Sequence, residues 1–283
     1  MVLRREPTAR QMRLATELRR LRDSAGLSAT EVAGLLGVGR VQMSHIESGL
    51  TGVSEQRLRR LVGHYGCTDA EFVDALVKMA TERTRGWWEE YRGLLPASFL
   101  DLAELDHHSR FQYNLAILYV PGLLQSEAYA RAVYATRVPE LAEEELELRV
   151  RHRMARRVVL QGPAPVGIDT VIHEAALRIM VGTRVAARGQ LAHLLEVSEA
   201  DHIDVRVVPF AMEGFSWASS SMTYMGATVP KLDTVIRDGP TGAHYIDAED
   251  QLATYRARFQ QVRARALDPE QSREFIRRLA KEL

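Results

Sequence analysis

Residues Leu27–Gly49 read LSATEVAGLLGVGRVQMSHIESG, and their spacing decides the architecture of the first part of the chain. Ser28 followed three residues later by Glu31 forms a capping box, in which each side chain serves the other's backbone amide where a helix begins. Val32, Ala33, Leu35 and Leu36 then make an apolar stripe at helical spacing, and Gly37 ends the helix with the residue best suited to a left-handed turn. After Val38 and Gly39 a second short helix, Arg40 to Ser48, turns Met43 and Ile46 inward with Val38, and Gly49 closes it. Two helices joined by a few residues containing glycine constitute a helix-turn-helix. The small Ala33 stands where two such helices must cross closely.

The same periodicity continues on both sides. Met12, Leu14, Ala15, Leu18, Leu21 and Ala25 predict a helix over Thr8–Ser24 with arginines on its other face, stopped by Gly26. Ser54 caps a helix carrying Leu58, Leu61 and Val62, and Phe72, Val73, Leu76, Val77 and Ala80 predict another over about Asp69 to Arg85. Five short helices with short turns make an all-α domain over residues 1–85.

Charge is distributed unevenly. The 283-residue chain has 37 Lys and Arg against 37 Asp and Glu, so it has no overall attraction for polyanions. Residues 1–66, however, hold 11 Arg against 6 acids, which leaves 26 basic against 31 acidic residues in the remainder. Any nucleic-acid site must draw on the amino-terminal excess. A hydrophobic content of 46% with 26% charged residues excludes a disordered or fibrous chain. A single cysteine, Cys67, excludes an intrachain disulfide and a cysteine-rich zinc site. No apolar region follows the arginines of Met1–Pro7, and no apolar run approaches 18 residues, so a cytoplasmic protein without a membrane segment is expected.

Gly86, Trp87, Trp88, Gly93 and Pro96 break the helical pattern and mark residues 86–97 as a connector. Over residues 98–283 the expected helices are Leu100–His108, Ser126–Tyr134, Glu140–Leu160, Val185–Ser198, Ala248–Ala266 and Pro269–Leu283. Strands are expected at Phe111–Ile117, Val166–His173, Ile203–Val208, Met222–Met225, Leu232–Ile236 and His244–Ile246. The chain thus reads as multidomain, an all-α five-helix domain followed by an α+β domain for partner binding, sensing or dimerisation.

Enzymatic motifs are missing from this second part: no Gly-x-Ser-x-Gly, no glycine-rich phosphate loop after a strand and no His-Glu-x-x-His occur. No enzyme, cofactor or metal site is therefore expected. His107 and His108 are adjacent and point to different faces, which suits no metal. Glu143, Glu144, Glu145 and Glu147, with Arg149, Arg151 and Arg153, read as a solvated helix face. Phe215, Ser216, Trp217 and Ser219–Ser221 make a loop that either lines a pocket or merely turns the chain.

The combination Ser28, Glu31, Ala33, Gly37, Val38, Ile46, Glu47 and Gly49 resembles the Xre-type helix-turn-helix family of phage and bacterial regulators, over about the first 66 residues. The resemblance implies that Arg40–Ser48 enters the major groove of double-stranded DNA. With Met43 and Ile46 in the core, Arg40, Val41, Ser44 and His45 then face base edges, where Arg40 suits guanine and Val41 a thymine methyl. Gln42 and Ser48 on the flanks, and Ala29 and Thr30 at the start of the preceding helix, would meet phosphates. Arg57, Arg59 and Arg60 with the arm Arg4, Arg5 and Arg10 would supply backbone charge. The bland readings are a solvated Arg40 and a His45 lying over a phosphate. For Glu47 the resemblance implies a structural ion pair with an arginine of the first helix, at the place of Arg22. Gly39 departs from the Ser or Thr that commonly caps the recognition helix, and Leu50–Val53 lacks the basic residues of many relatives.

In the second domain VPGLLQSEAYARAV (Val120–Val133), HEAALR (His173–Arg178) and QLAHLLEVSEADHIDVRVVPF (Gln190–Phe210) resemble the carboxy-terminal domain of actinobacterial Xre-type regulators that include the WhiJ-like proteins. That likeness implies development-linked or antitoxin-like transcriptional control with a small protein partner. The alternative is a small-molecule-sensing regulator with a pocket behind Trp217 and Tyr224. A homodimer follows from the short reach of one recognition helix. The stripes Leu252, Tyr255, Phe259, Val262 and Phe275, Ile276, Leu279 of the last two helices are either dimer contact or core.

Overall fold

The computed structural model describes residues 7–82, 86–213, 220–239 and 242–283. It divides into two compact units, Met1–Arg92 with Phe99–Leu105, and Gly93–Ser98 with Asp106–Leu283.

Local signals place the helices of the first unit. Helix α1 (Ala9–Ser24) starts at a capping box of Thr8 and Gln11, and α2 (Ala29–Leu36) at the box of Ser28 and Glu31. Gly37 leaves α2 at φ +68°, and α3 (Arg40–Ile46) follows. Ser54 caps α4 (Glu55–His64) and Asp69 caps α5 (Ala70–Thr81). Leu18, Val32, Met43, Leu58, Leu61 and Leu76 form the buried centre. Two details depart from the sequence pattern. Leu35 is exposed, because the packed stripe of α2 is Val32, Ala33 and Leu36. Arg13 is buried, where it reaches the equally buried Glu17 at 2.9 Å on the next turn of α1. Beyond α5, the segment expected as a connector contains a 3-10 turn, Trp87–Tyr91, with Trp88 buried. The backbone amide of Ala9 donates to Asp101 Oδ1 at 2.9 Å, which ties the start of α1 to α6 (Ala97–His108).

The second unit is built on a sheet of six strands among the described residues: β1 (Phe111–Ala116), β2 (Gly167–His173), β3 (Ile203–Val208), β4 (Met222–Gly226), β5 (Thr234–Gly239) and β6 (Gly242–Ile246). Their order is β3-β2-β1-β4-β5-β6, parallel from β3 to β1 and antiparallel from β1 to β6. Parallel neighbours need crossovers, which α7 (Glu127–Ala135) and α8 (Glu143–Arg156) supply between β1 and β2. Between β2 and β3 the crossover holds α9 (Glu174–Arg178) and α10 (Arg184–Val197). The chain ends in α11 (Glu249–Arg265) and α12 (Pro269–Glu282).

Helices cover both faces of this sheet. Ala116, Ile168, Ile172, Val205 and Val207 pack with Tyr129 of α7, Leu191 and Leu194 of α10, and Phe275, Ile276 and Leu279 of α12. Leu115, Val171, Tyr224 and Val235 pack on the opposite face with Leu252, Phe259 and Val262 of α11. The unit is therefore an α/β domain with a mixed sheet, in place of the α+β class read from the sequence. Strand positions were legible, but which strands pair depends on the crossovers. The stripes of the last two helices are core of their own chain and offer no surface for a dimer. Tyr224 is fully buried with its hydroxyl 2.6 Å from Asp233 Oδ2, so it is a packed core residue. Trp217, the other residue proposed to line a pocket, lies with Phe215, Ser216 and Ser219 outside the described residues. Strand β5 begins two residues later than expected, since Leu232 belongs to a 3-10 turn, Pro230–Leu232.

The centre of the sheet is polar on the face that carries Ala116 and Ile172. Asn114 Nδ2 donates to Thr170 Oγ1 (3.4 Å) and Thr223 Oγ1 to Asn114 Oδ1 (3.0 Å). Gln112 Nε2 donates to Asp106 Oδ1 (2.8 Å), whose Oδ2 accepts from Arg156 Nε of α8 (2.7 Å). Arg149, His152 and Arg156 of α8 are buried and Arg153 is half-buried. The solvated face predicted for α8 thus holds for Glu143, Glu144 and Arg151 but not for Arg149 or Arg153. Burial first, then Arg156 and Arg153, push the His152 imidazole down to about 3, so it is neutral at neutral pH.

That depression gives a pH dependence with a definite sign. The unfolded chain takes up a proton near pH 6.5 that the folded chain refuses until about 3, so His152 stabilises the fold above 6.5 and that contribution is lost as pH falls. In thermal unfolding between pH 7 and 4, His152→Gln should show a flatter profile than the wild type. Parallel profiles would assign the acid sensitivity elsewhere.

Candidate nucleic-acid interface

The geometry of α2 and α3 sorts the residues read from the sequence. Met43 and Ile46 are buried, and this turns Arg40, Val41 and Ser44 outward as exposed neighbours on one face of α3. Val41 is 68% exposed, an apolar side chain standing in water on an otherwise polar surface. His45, Gln42 and Ser48 are half-buried at the edges of that face, with Ser48 Oγ donating to the carbonyl of His45 at 3.2 Å. The same carbonyl accepts from the amides of Leu50 and Thr51, which folds the chain sharply away from the helix end. Gly39 supplies no side-chain cap to α3. At the start of α2 the box of Ser28 and Glu31 occupies the amides of those two residues, while Ala29 is half-buried and Thr30 exposed between them.

Ion pairing decides which arginines retain free charge. Arg59 reaches both Glu55 and Asp74 at 2.8 Å, and Arg10 reaches Glu82 at 2.8 Å, so these two are compensated within the unit. Arg4 and Arg5 lie outside the described residues. Arg40 and Arg57 make no side-chain hydrogen bond or ion pair to another described residue. Arg60 donates to the carbonyl of Leu35 (3.2 Å) and Arg19 to that of Glu47 (3.1 Å), neither meeting an acid. Arg19 was not singled out by the sequence reading. The available signal was its position three residues before Arg22 on the same helix face.

Arg22 and Glu47 link α1 to the end of α3. Nε and Nη2 of Arg22 donate to Oε1 (2.6 Å) and Oε2 (3.2 Å) of Glu47, a bidentate fork. Nη1 donates to the carbonyl of Leu27 (2.8 Å), which adds the turn before α2 to the same node. The side chains retain only 12% and 5% exposure. The hydrogen bonds with Glu47 raise the Arg22 pKa, and burial, then Glu47, push the Tyr65 hydroxyl up beside the pair. Gly49 completes the junction at φ +70°, where an added Cβ would stand 3.2 Å from the carbonyl oxygen of Gln11 and from Pro7.

Comparison with known families now bears on both units. A helix-turn-helix domain matches residues 13–75, the span of α1 to the middle of α5. The family described as a domain of unknown function (DUF5753) matches residues 99–278. The chain belongs to that family. Its DUF5753 region takes in all six strands described and ends within α12. No curated protein and no solved structure matches the chain. The helix-turn-helix domain points to DNA binding and transcription regulation. Among the described residues no helix is long and apolar enough to cross a membrane, and no group of three or more His, Cys, Asp or Glu is placed to hold a metal.

Removing Glu47 from the nearly buried fork leaves Arg22 only the exposed Asp23, 2.7 Å from its Nη1, as an acidic partner. Glu47→Ala should therefore destabilise the first unit by on the order of 3 kcal/mol, read as faster amide hydrogen exchange across α1–α4 in the intact chain. Arg22→Met with Glu47→Leu should recover much of the loss, since a packed apolar pair leaves no charge to compensate. Unchanged exchange in Glu47→Ala together with altered DNA preference would move Glu47 among the base readers.

Proposed function

We propose that the protein is a sequence-specific, DNA-binding transcriptional regulator of Xre type, in which α3 reads the major groove. The observation that carries the reading is the exposed Arg40, Val41 and Ser44 face on a helix anchored from behind by the Arg22–Glu47 fork. Arg40 is the candidate for guanine and Val41 for a thymine methyl, with His45 at the edge of the same face. Arg19, Arg57 and Arg60, uncompensated by acids, join Gln42, Ser48, Ala29 and Thr30 as phosphate contacts, which set register without reading sequence. The reading assigns the protein to the cytoplasm and gives it no catalytic step and no cofactor.

The protein acts as a homodimer in this proposal, because one seven-residue recognition helix reads only a few base pairs. The second unit serves development-linked or antitoxin-like control through a small protein partner. Exposed apolar residues support that use: Leu118 and Tyr119 follow β1, Ile179 and Met180 lie beyond β2 and α9, and Phe210 follows β3. The rings of Phe210 and His173 are 5.2 Å apart, so the exits of β2 and β3 adjoin. The alternative is a small-molecule-sensing regulator with a pocket in the second unit.

Selection of operator sequences from random DNA followed by binding at several salt concentrations tests the proposal. Arg40→Ala should lose discrimination at one base pair worth about 1–3 kcal/mol. Arg57→Ala should weaken all sequences alike and reduce the slope of log K against log salt by about 1. Undiminished operator preference in Arg40→Ala would remove α3 from base reading.

A further inference from the structure

The two edges of the sheet are finished differently. Along β3 the amide of Ile203 donates to the carbonyl of Ala200 (2.9 Å), and the amide of Val207 donates to Ser272 Oγ of α12 (2.9 Å). The carbonyl of Val207 accepts from the amide of Leu267 (2.9 Å), so this edge is closed by its own chain. At the opposite edge β6 pairs with β5 alone. Gly242, His244 and Tyr245 are exposed there, and Ala243 and Ile246 half-buried. In an antiparallel ladder alternate residues turn their N–H and C=O away from the paired neighbour, so the outer side of β6 presents donors and acceptors in strand geometry.

Edge strands that stay single are commonly guarded by lysine, proline or an inward-pointing charge, which stop another strand from docking. Gly242–Ile246, GAHYI, has none of the three: its one basic side chain is the exposed His244, and it has no carboxylate. Ile246 packs against the core that holds Val235 and Leu252 and is the register partner of Val235. That contact fixes which face of β6 is inward, so the strand cannot slip, and its outer edge is a template of definite register. Pairing from β1 through β4 and β5 to β6 is antiparallel throughout, and a further antiparallel strand would continue it.

We propose that two copies of the chain pair through β6, antiparallel about a two-fold axis, and join their sheets into one. A strand laid antiparallel beside its own copy is self-complementary, because the same donors and acceptors recur in reverse order on the partner. Self-pairing also brings no carboxylate of β6 against another. The inference deepens the homodimer of the proposed function and rests on that reading for its purpose, since it supplies the surface that the last two helices do not. Five residues supply few hydrogen bonds, so the pair is weak in free solution. Adjacent half-sites on DNA strengthen it by raising the local concentration of one copy beside the other.

Sedimentation of the intact chain without DNA, over rising concentration, should show a monomer–dimer equilibrium. Amide hydrogen exchange in the same samples should slow at Gly242–Ile246 as dimer fills and stay constant in β3. Ala243→Glu with Tyr245→Glu, and separately Ala243→Lys with Tyr245→Lys, should each weaken association at least about tenfold by placing like charges across the two-fold. Mixing the two variants should restore it, and β3 exchange at the wild-type rate in each reports an intact sheet. A wild-type monomer at every soluble concentration overturns the proposal. So does a dimer whose β6 exchange is unchanged, undiminished association in both variants, or β6 amides already protected in the dilute monomer, which would mean that the chain covers its own edge. Affinity of the monomeric variants for a single half-site reports on α3 alone, so failure of the β6 contact and failure of DNA reading are separately visible.

Discussion

The first unit depends on the fork between Arg22 and Glu47. A seven-residue helix has too few internal hydrogen bonds to persist alone, so its orientation must come from packing. Met43 and Ile46 hold it to the core from one side, and Glu47 binds its end to α1 and, through Arg22, to the carbonyl of Leu27. An acid beside the exposed face of Arg40, Val41 and Ser44 is thereby turned inward and neutralised. Arg19 uses the carbonyl of the same Glu47, so a basic side chain is anchored at the node that removes the acid from view. Rigidity and charge on this side of α3 have one physical source.

The second unit combines two construction rules in one sheet. Its parallel half is covered by crossover helices and buried on both faces, while β4, β5 and β6 add by antiparallel pairing. Along the seam, polar residues replace the aliphatic ones of a simple core. Asn114 bridges Thr170 on one neighbour and Thr223 on the other, so the row of hydroxyl and amide groups satisfies itself. Asp106 extends the network through Gln112 to Arg156. Arg153 differs from its neighbours on α8 in meeting an amide and an aromatic ring, Gln125 and Tyr134, where Arg149 and Arg156 meet carboxylates.

Much of the chain was legible because its signals are local. The capping boxes at Thr8–Gln11 and Ser28–Glu31, the left-handed Gly37 and the alternating run Ile203–Val208 each need only a few consecutive residues to act. The face of α3 could be drawn from Met43 and Ile46 alone. Less was legible where one side chain answers to another far along the chain. Arg10 and Arg59 read as free charges but reach Glu82 and Asp74. Arg149 and Arg153 read as solvated because a helix dense in both charge signs resembles a surface helix, whereas Arg149 is buried and Arg153 donates to the buried Gln125.

The amino-acid sequence by itself determined where most helices and strands lie, to within a few residues at their ends, that a helix-turn-helix leads the chain, and that basic charge gathers there. Those properties follow from backbone capping, side-chain periodicity and composition, which act over a turn or two. Only the tertiary structure decided that the sheet is mixed, that the stripes of the last two helices are core, and which arginines keep an unmatched charge. Each of these is a question of which distant groups come within a few ångströms, and packing alone answers it, because ion pairs and sheet registers are chosen among alternatives that look equivalent along the chain.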